Sequence, residues 1–236
     1  MKIALIILTL NEYDCLKVIF PRLLDPKIHG AFDAMYAIDG GSTDGTIAYY
    51  QQQNIPVIAQ SRRGRGDAFH LALEKIDADA YIFFSPDGNE DPDDLLKFRH
   101  YLDNHADIVI ASRMMKGAVN EEDHSLFRPR KWVNNIFNFL VNLFFRRSGK
   151  YITDSINGYR AITKRAMEKL SLDALDYTIE FQMTIRAFKQ KLNIVEFPTH
   201  EFQRISGETK APSFKTGLRF IQCLCKEVTQ RAHKNN

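Results

Sequence analysis

The sequence predicts an α/β protein built on a mainly parallel, Rossmann-like sheet with helices on both faces. Two observations lead there. Short apolar runs rich in branched residues alternate with helix-like segments, the pattern of repeated βαβ units. Polar, glycine-rich segments follow the runs, where open α/β sheets bind ligands at the carboxyl ends of their strands. At 236 residues and 44% hydrophobic content, the chain can bury a sizeable core.

The first run, residues 3–9, follows Lys2 and has the look of a secretory leader. "NEYD" comes directly after it with no small-residue cleavage site, so it reads as a buried strand. Strands are expected next at 34–39, 55–60, 80–85 and 107–112, with helices at 12–24, 44–53, 66–75 and 92–104. Beyond Ser112 come an acidic loop at 120–124, a basic patch of Arg128, Arg130 and Lys131, and a helix over 132–147. Asn134, Asn138 and Asn142 recur along that helix every four residues, giving one polar stripe and a broad apolar remainder. Helices near 163–170 and 177–191 and a strand at 193–198 follow. The last helix sets Phe214, Leu218, Ile221, Cys225 and Val228 on one side and Lys215, Arg219, Lys226 and Arg231 elsewhere. Repeats and linkers are lacking, so a single domain over 1–236 is expected.

Charge and cysteines exclude some classes. With 32 basic and 29 acidic residues the net charge is +3, which gives no bulk argument for nucleic acid. Cys15, Cys223 and Cys225 form no disulfide framework, and a reducing, cytoplasmic setting is expected. No stretch approaches the roughly 18 apolar residues of a membrane span.

Five of the ten residues in "SPDGNEDPDD" (85–94) are carboxylates, gathered at the end of a buried strand. Asp87, Asn89 and Asp91 alternate, so their oxygens can converge on a hard cation, magnesium or manganese. A calcium loop would need Gly at Pro92 and Glu at Phe98. The same acids serve equally as caps for a helix that follows. In "IDGGSTDGT" (38–46), Asp39 and Asp44 flank a turn able to hold a ribose or base, or to act simply as a turn and cap. In "RRGRGDAF" (62–69), Gly64 and Gly66 permit close backbone approach, and the arginines offer charge to a diphosphate.

In this order the motifs resemble glycosyltransferase family 2, of GT-A fold, and within it the polyprenyl-phosphate, dolichyl-phosphate mannose synthase-like enzymes. "TLNE" (9–12), "GRGDA" (64–68), "ASR" (111–113), "DSINGYR" (154–160) and "RISGETK" (204–210) complete the series. The resemblance implies a nucleotide-sugar-binding half over 1–112 and an acceptor-side half over 113–236. Thr9, Asn11, Glu12 and Asp39 match positions that hold the nucleoside, and Gly64, Gly66 and Asp67 lie beside it. Asp87, Asn89 and Asp91 match the metal and diphosphate motif, departing from the usual Asp-x-Asp-x-Gln. Arg113 stands at the family's "SR" position. Arg130, Arg204 and Lys210 match basic positions for acceptor phosphate or leaving diphosphate.

The implied reaction is an inverting hexose transfer from a UDP- or GDP-linked sugar to a polyprenyl phosphate. A lipid phosphate is already an anion and needs no strong base, whereas a sugar hydroxyl would need a carboxylate. Glu180, Asp154 and Asp176 are the candidates for that role. A non-catalytic nucleotide-sugar-binding module is the other alternative, because Asn89 weakens the metal motif. Helix 132–147 suits a peripheral position among lipid headgroups, as well as core packing or a seam between two copies.

Overall fold

The structure, a computed structural model, describes residues 1–28, 30–124, 127–146, 149–206 and 213–233. Its sheet has seven strands in the order β3-β2-β1-β4-β6-β5-β7. These are β1 (Ile3–Thr9), β2 (Ala34–Asp39), β3 (Val57–Ala59), β4 (Ala80–Phe84), β5 (Ile108–Ser112), β6 (Arg160–Thr163) and β7 (Ile194–Pro198). All pairings are parallel except those of β6, which runs antiparallel between β4 and β5.

β6 is the strand absent from the sequence expectation. It has four residues, opens with an arginine and runs straight into a helix, so no apolar alternation announces it. Arg160 is nonetheless fully buried. Its guanidinium donates to the carbonyls of Asn157, Glu180 and Ser155 and to the Thr184 hydroxyl, so its hydrogen-bonding capacity is met inside the protein.

Every residue of β1 is buried, because both faces of the sheet are covered. Ile3, Leu5 and Ile7 share a core with α1 (Tyr13–Leu23), Tyr50 of α2 (Thr46–Gln52) and α4 (Leu95–Asp103), through Phe20 and Phe98. Ala4, Ile6 and Leu8 share the opposite core with α3 (Arg65–Lys75), α6 (Lys164–Leu170) and α7 (Ile179–Lys189), through Phe69, Leu170 and Met183. This period-two division is what a two-sided sheet requires. The helix expected over 92–104 is split. Pro92–Asp94 forms one 3-10 turn, and the α-helix begins at Leu95.

α5 (Pro129–Phe145) and α8 (Ser213–His233) pack with α7 around Phe137, Phe181 and Phe220. The asparagine stripe of α5 turns inward. Asn138 and Asn142 are buried and bond the backbone of residues 152–155, with Ile152 N donating to Asn142 Oδ1 at 3.0 Å and Ser155 N to Asn138 Oδ1 at 2.8 Å. Part of the apolar remainder, Phe137, Val141 and Phe145, packs inward beside the stripe, and the rest turns outward, leaving Trp132, Ile136, Phe139 and Leu143 50–60% exposed. α8 behaves alike: Leu218, Ile221, Cys225 and Val228 are exposed, while Phe220, Cys223, Leu224 and Glu227 are buried. Burial of Glu227 is compensated by Arg186 and Lys189 of α7.

Candidate active site

The sheet order reverses at β1: β2 lies on one side and β4 on the other. The crevice beyond the carboxyl ends of β1 and β4 is therefore where a ligand is expected. Three adjoining cavities occupy it. One of about 650 Å3 is lined by Thr9, Glu12, Gly64, Arg65 and Asp87. An inner one of about 250 Å3 lies between Arg65, Asp87, Glu90, Arg113 and Glu180. A third, of about 450 Å3, reaches Arg113, Arg130, Lys131 and Asn134. Arg204 lines all three.

On the first side, the loops after β1 and β2 are tied together. Asn11, at a φ of 54°, accepts from Thr43 N at 2.8 Å and donates its own N–H to Ser42 Oγ at 2.8 Å. Asp39 is buried and accepts from Gly41 N, Ser42 N, the Ser42 hydroxyl and the Thr9 hydroxyl. Its oxygens therefore build the turn, and Thr9 and Glu12 rather than Asn11 and Asp39 face the cavity. Asp67 is likewise buried and holds Arg62 at 2.9 Å, latching the arginine-rich loop. Gly64 and Gly66 do allow a close approach, but to the chain's own residues 174–176. A Cβ on Gly66 would stand 2.3 Å from the Ala174 carbonyl oxygen, and Gly66 N donates to Leu175 O at 3.0 Å.

The acidic turn divides its residues. Asp87 is 4% exposed; its Oδ2 lies 2.5 Å from Arg204 Nη2, and its Oδ1 accepts from Asn89 N at 3.1 Å. Burial raises the Asp87 carboxyl above its ordinary value, against the pull of Arg204. Asn89 donates its amide to the Phe202 carbonyl at 2.6 Å. Asp91 faces elsewhere: it accepts from Arg22 of α1 at 2.8 Å and from Asp93 N at 3.2 Å, capping the 3-10 turn. The capping role left open for these acids is thus the one Asp91 performs. Among the described residues, no group of three or more His, Cys, Asp or Glu could hold a metal ion. Asp87 nonetheless fits a cation: it is a buried carboxylate already neutralised by a positive group borne on residues 200–206. That strap is fastened by Phe202 N to Asn89 O and Ile205 N to Asp87 O, each at 3.0 Å.

Arg113, just past β5, is held by Asp154 at 2.8 and 3.1 Å and by Glu201 at 3.0 Å. Asp154 is fully buried and also accepts from Asn157 N, so it positions Arg113 and lines none of the three cavities. Glu180 receives Arg65 Nε, and Asp176 receives Thr178 at the start of α7 and Arg219 from α8. All three carboxylates considered as bases are therefore engaged. Arg130 pairs with Glu121 at 2.9 Å. Lys210 lies outside the described residues. Sequence reasoning missed Glu90, Glu121 and Glu201 as cleft residues. The first is one acid among five in its turn, and the other two come from loops without a spacing signal.

The chain is similar to several known proteins. Glycosyltransferase AglJ of Haloferax volcanii is 28% identical over 212 residues, a match covering 87% of this chain and 65% of that protein, so the chain spans just under two thirds of its length. Polyprenol monophosphomannose synthase of Mycolicibacterium smegmatis is 27% identical over 221 residues, covering 87% of this chain and 79% of the other. Among solved structures, glucosyl-3-phosphoglycerate synthase of Mycobacterium tuberculosis, crystallised with Mn2+, UDP and phosphoglyceric acid, superposes with a TM-score of 0.72. That match covers 96% of this chain and 78% of the other at 18% identity, a likeness of fold, and the fold is the GT-A type that the motif order implies. Residues 4–169 of the 236 match the family described as Glycosyl transferase family 2, and the chain belongs to that family.

Proposed function

We propose that the chain transfers a hexose from a UDP- or GDP-linked sugar to a polyprenyl phosphate, with inversion, at the cytoplasmic face of a membrane. The observation that carries this reading is the run of three cavities through one cleft, with Asp87 and Arg204 at its centre and the basic rim of α5 at its far end. The nucleotide would lie against Thr9, Glu12 and Gly64, the sugar in the inner cavity, and the acceptor phosphate near Arg113, Arg130 and Arg204. Lys210 belongs with these by its motif.

An acceptor phosphate oxygen would attack the anomeric carbon as the bond from that carbon to the diphosphate oxygen breaks, and the electron pair leaves with the nucleoside diphosphate. The engagement of Glu180, Asp154 and Asp176 in ion pairs and caps favours an acceptor that arrives already ionised. Asp87 and Asn89 would hold a magnesium or manganese ion, which when bound neutralises charge on the diphosphate. For that, Arg204 must leave Asp87; it would then stand beside the same diphosphate and stabilise the departing charge. Arg113, locked by Asp154 and Glu201, presents a fixed cation that costs no reorganisation during transfer.

The outward apolar rows of α5 and α8 support lipid contact beside the acceptor end, since helices of this kind lie in the headgroup region with their apolar side down. No described helix is long and apolar enough to cross a membrane. A second reading, in which the acceptor is a small soluble phosphate, draws support from the phosphoglyceric acid bound by the Mycobacterium tuberculosis fold relative.

Incubating the protein with radiolabelled UDP- or GDP-hexoses, manganese and undecaprenyl phosphate tests the reading. Label entering the organic phase with the wild type and lost with Asp87→Ala supports it. Transfer only to soluble phosphates favours the second reading, and nucleotide binding without turnover would make the protein a binding module.

A further inference from the structure

The inner cavity is lined by three arginines, and each is already neutralised by a carboxylate of the same cavity. Arg65 pairs with Glu180, Arg113 with Glu201, and Arg204 with Asp87. Glu90 is the fourth carboxylate of the lining and is in a different situation. No described cation forms an ion pair with it. Ser85 N donates to its Oε2 at 2.7 Å, which fixes the side chain, and its Oε1 receives no hydrogen bond from any described residue. A polar atom held in place at the wall of a cavity and left without a partner is a hydrogen-bonding site for whatever fills the space.

The occupant's chemistry follows from the lining. Among the described residues, Arg65 is held by Glu180, and Arg113 and Arg204 are taken by the acceptor phosphate and the diphosphate in the reading above, so none is left to offset a carboxylate on the sugar, and an anionic sugar such as a hexuronic acid would be buried without a counter-charge. A neutral sugar ring suits a cavity of about 250 Å3 and presents hydroxyls in every direction. Glu90 stands one residue from Asn89, so a sugar attached to a diphosphate at the acidic turn would sit within its reach.

We propose that Glu90 is a specificity-determining residue that hydrogen-bonds a hydroxyl of the donor's neutral hexose. This rests on the donor-site reading above. Glu90 then contributes to binding of the sugar and nothing to binding of the nucleotide, a separation that a merely structural role would not produce.

The test compares dissociation constants for UDP, GDP, UDP-glucose and GDP-mannose with manganese present, in the wild type, Glu90→Leu and Glu90→Gln. Glutamine keeps the bond from Ser85 while replacing the free acceptor with a donor, so it serves if the leucine variant does not fold. The proposal expects affinity for the preferred sugar nucleotide to fall about tenfold or more in Glu90→Leu and at least about threefold in Glu90→Gln, the range set by losing one hydrogen bond and leaving its partner unsatisfied, with the nucleoside diphosphate unchanged. An unchanged ratio of sugar nucleotide to diphosphate affinity overturns it. So does a parallel loss of both ligands, which would make Glu90 a support for the turn. Failure of the wild type to bind either diphosphate would overturn the donor-site reading and this proposal together.

Discussion

Arg204 Nη2 stands 2.5 Å from Asp87 Oδ2, so a side chain 117 residues further along the chain supplies the positive charge at the first carboxylate of the acidic turn. A divalent cation at Asp87 must compete with that guanidinium. Removing it with Arg204→Ala leaves a buried carboxylate without its counter-ion, a strongly unfavourable state that a metal relieves. Manganese affinity in the absence of nucleotide is expected to rise about tenfold in this variant, while sugar transfer falls. Manganese titration followed by electron paramagnetic resonance checks this; equal affinity in both proteins would mean that Arg204 and the metal do not share Asp87.

The lock on Arg113 predicts a stability effect. Asp154→Asn leaves the guanidinium with Glu201 alone in a largely buried site, and loss of one partner of a buried pair costs about 3–5 kcal/mol. Urea unfolding should register that loss. Asp154→Leu combined with Arg113→Met should lose less than Asp154→Leu alone, because no charge is then stranded.

Glu196 predicts a pH effect. It sits on β7 and accepts from Thr153 N, Thr153 Oγ1 and Asp154 N, holding the loop that carries Asp154. Burial pushes its carboxyl up to about 7. The folded chain therefore binds this proton at pH values where the unfolded chain, with an ordinary glutamate near about 4.3, has released it. The associated stability is fully present below the unfolded value and is lost as pH rises through 7. Between pH 5 and 8 the wild type should lose about 1–3 kcal/mol more than Glu196→Gln; parallel stability curves would contradict this.

The exposed rows of α5 and α8 predict membrane association. Trp132 is the chain's one tryptophan and is half exposed, so its fluorescence reports directly on that surface. Anionic vesicles should shift its emission to the blue and carry the protein upward on flotation. Phe139→Ser with Leu143→Ser should abolish both effects while leaving the circular dichroism spectrum intact. Emission unchanged by vesicles would favour a soluble acceptor.

Much of this arrangement was legible in the sequence, and the reasons for the rest are physical. Ile3–Thr9 and Ala80–Phe84 are buried on both faces and therefore read as continuous apolar runs. Arg160–Thr163 carries its meaning in the hydrogen bonds of one buried arginine, which no period records. α5 and α8 show that a helical stripe reveals two faces without saying which faces out. Asn138 and Asn142 are buried because they bond residues 152–155, and Glu227 because α7 supplies two cations. The acidic turn presented five carboxylates in one line of text. Only the fold separates Asp87 in the cleft from Asp91 on its cap.

The most direct measurement is the thermal stability of the purified protein against UDP, GDP, UDP-glucose and GDP-mannose, each with and without manganese. A ligand that binds the native state raises the melting temperature by mass action. A manganese-dependent rise with one nucleotide and its sugar, lost in Asp87→Ala, is the expected result. No shift with any pair would mean that the carboxylates of residues 85–94 serve only the turn and its caps, contradicting the assignment of the cleft as a donor site.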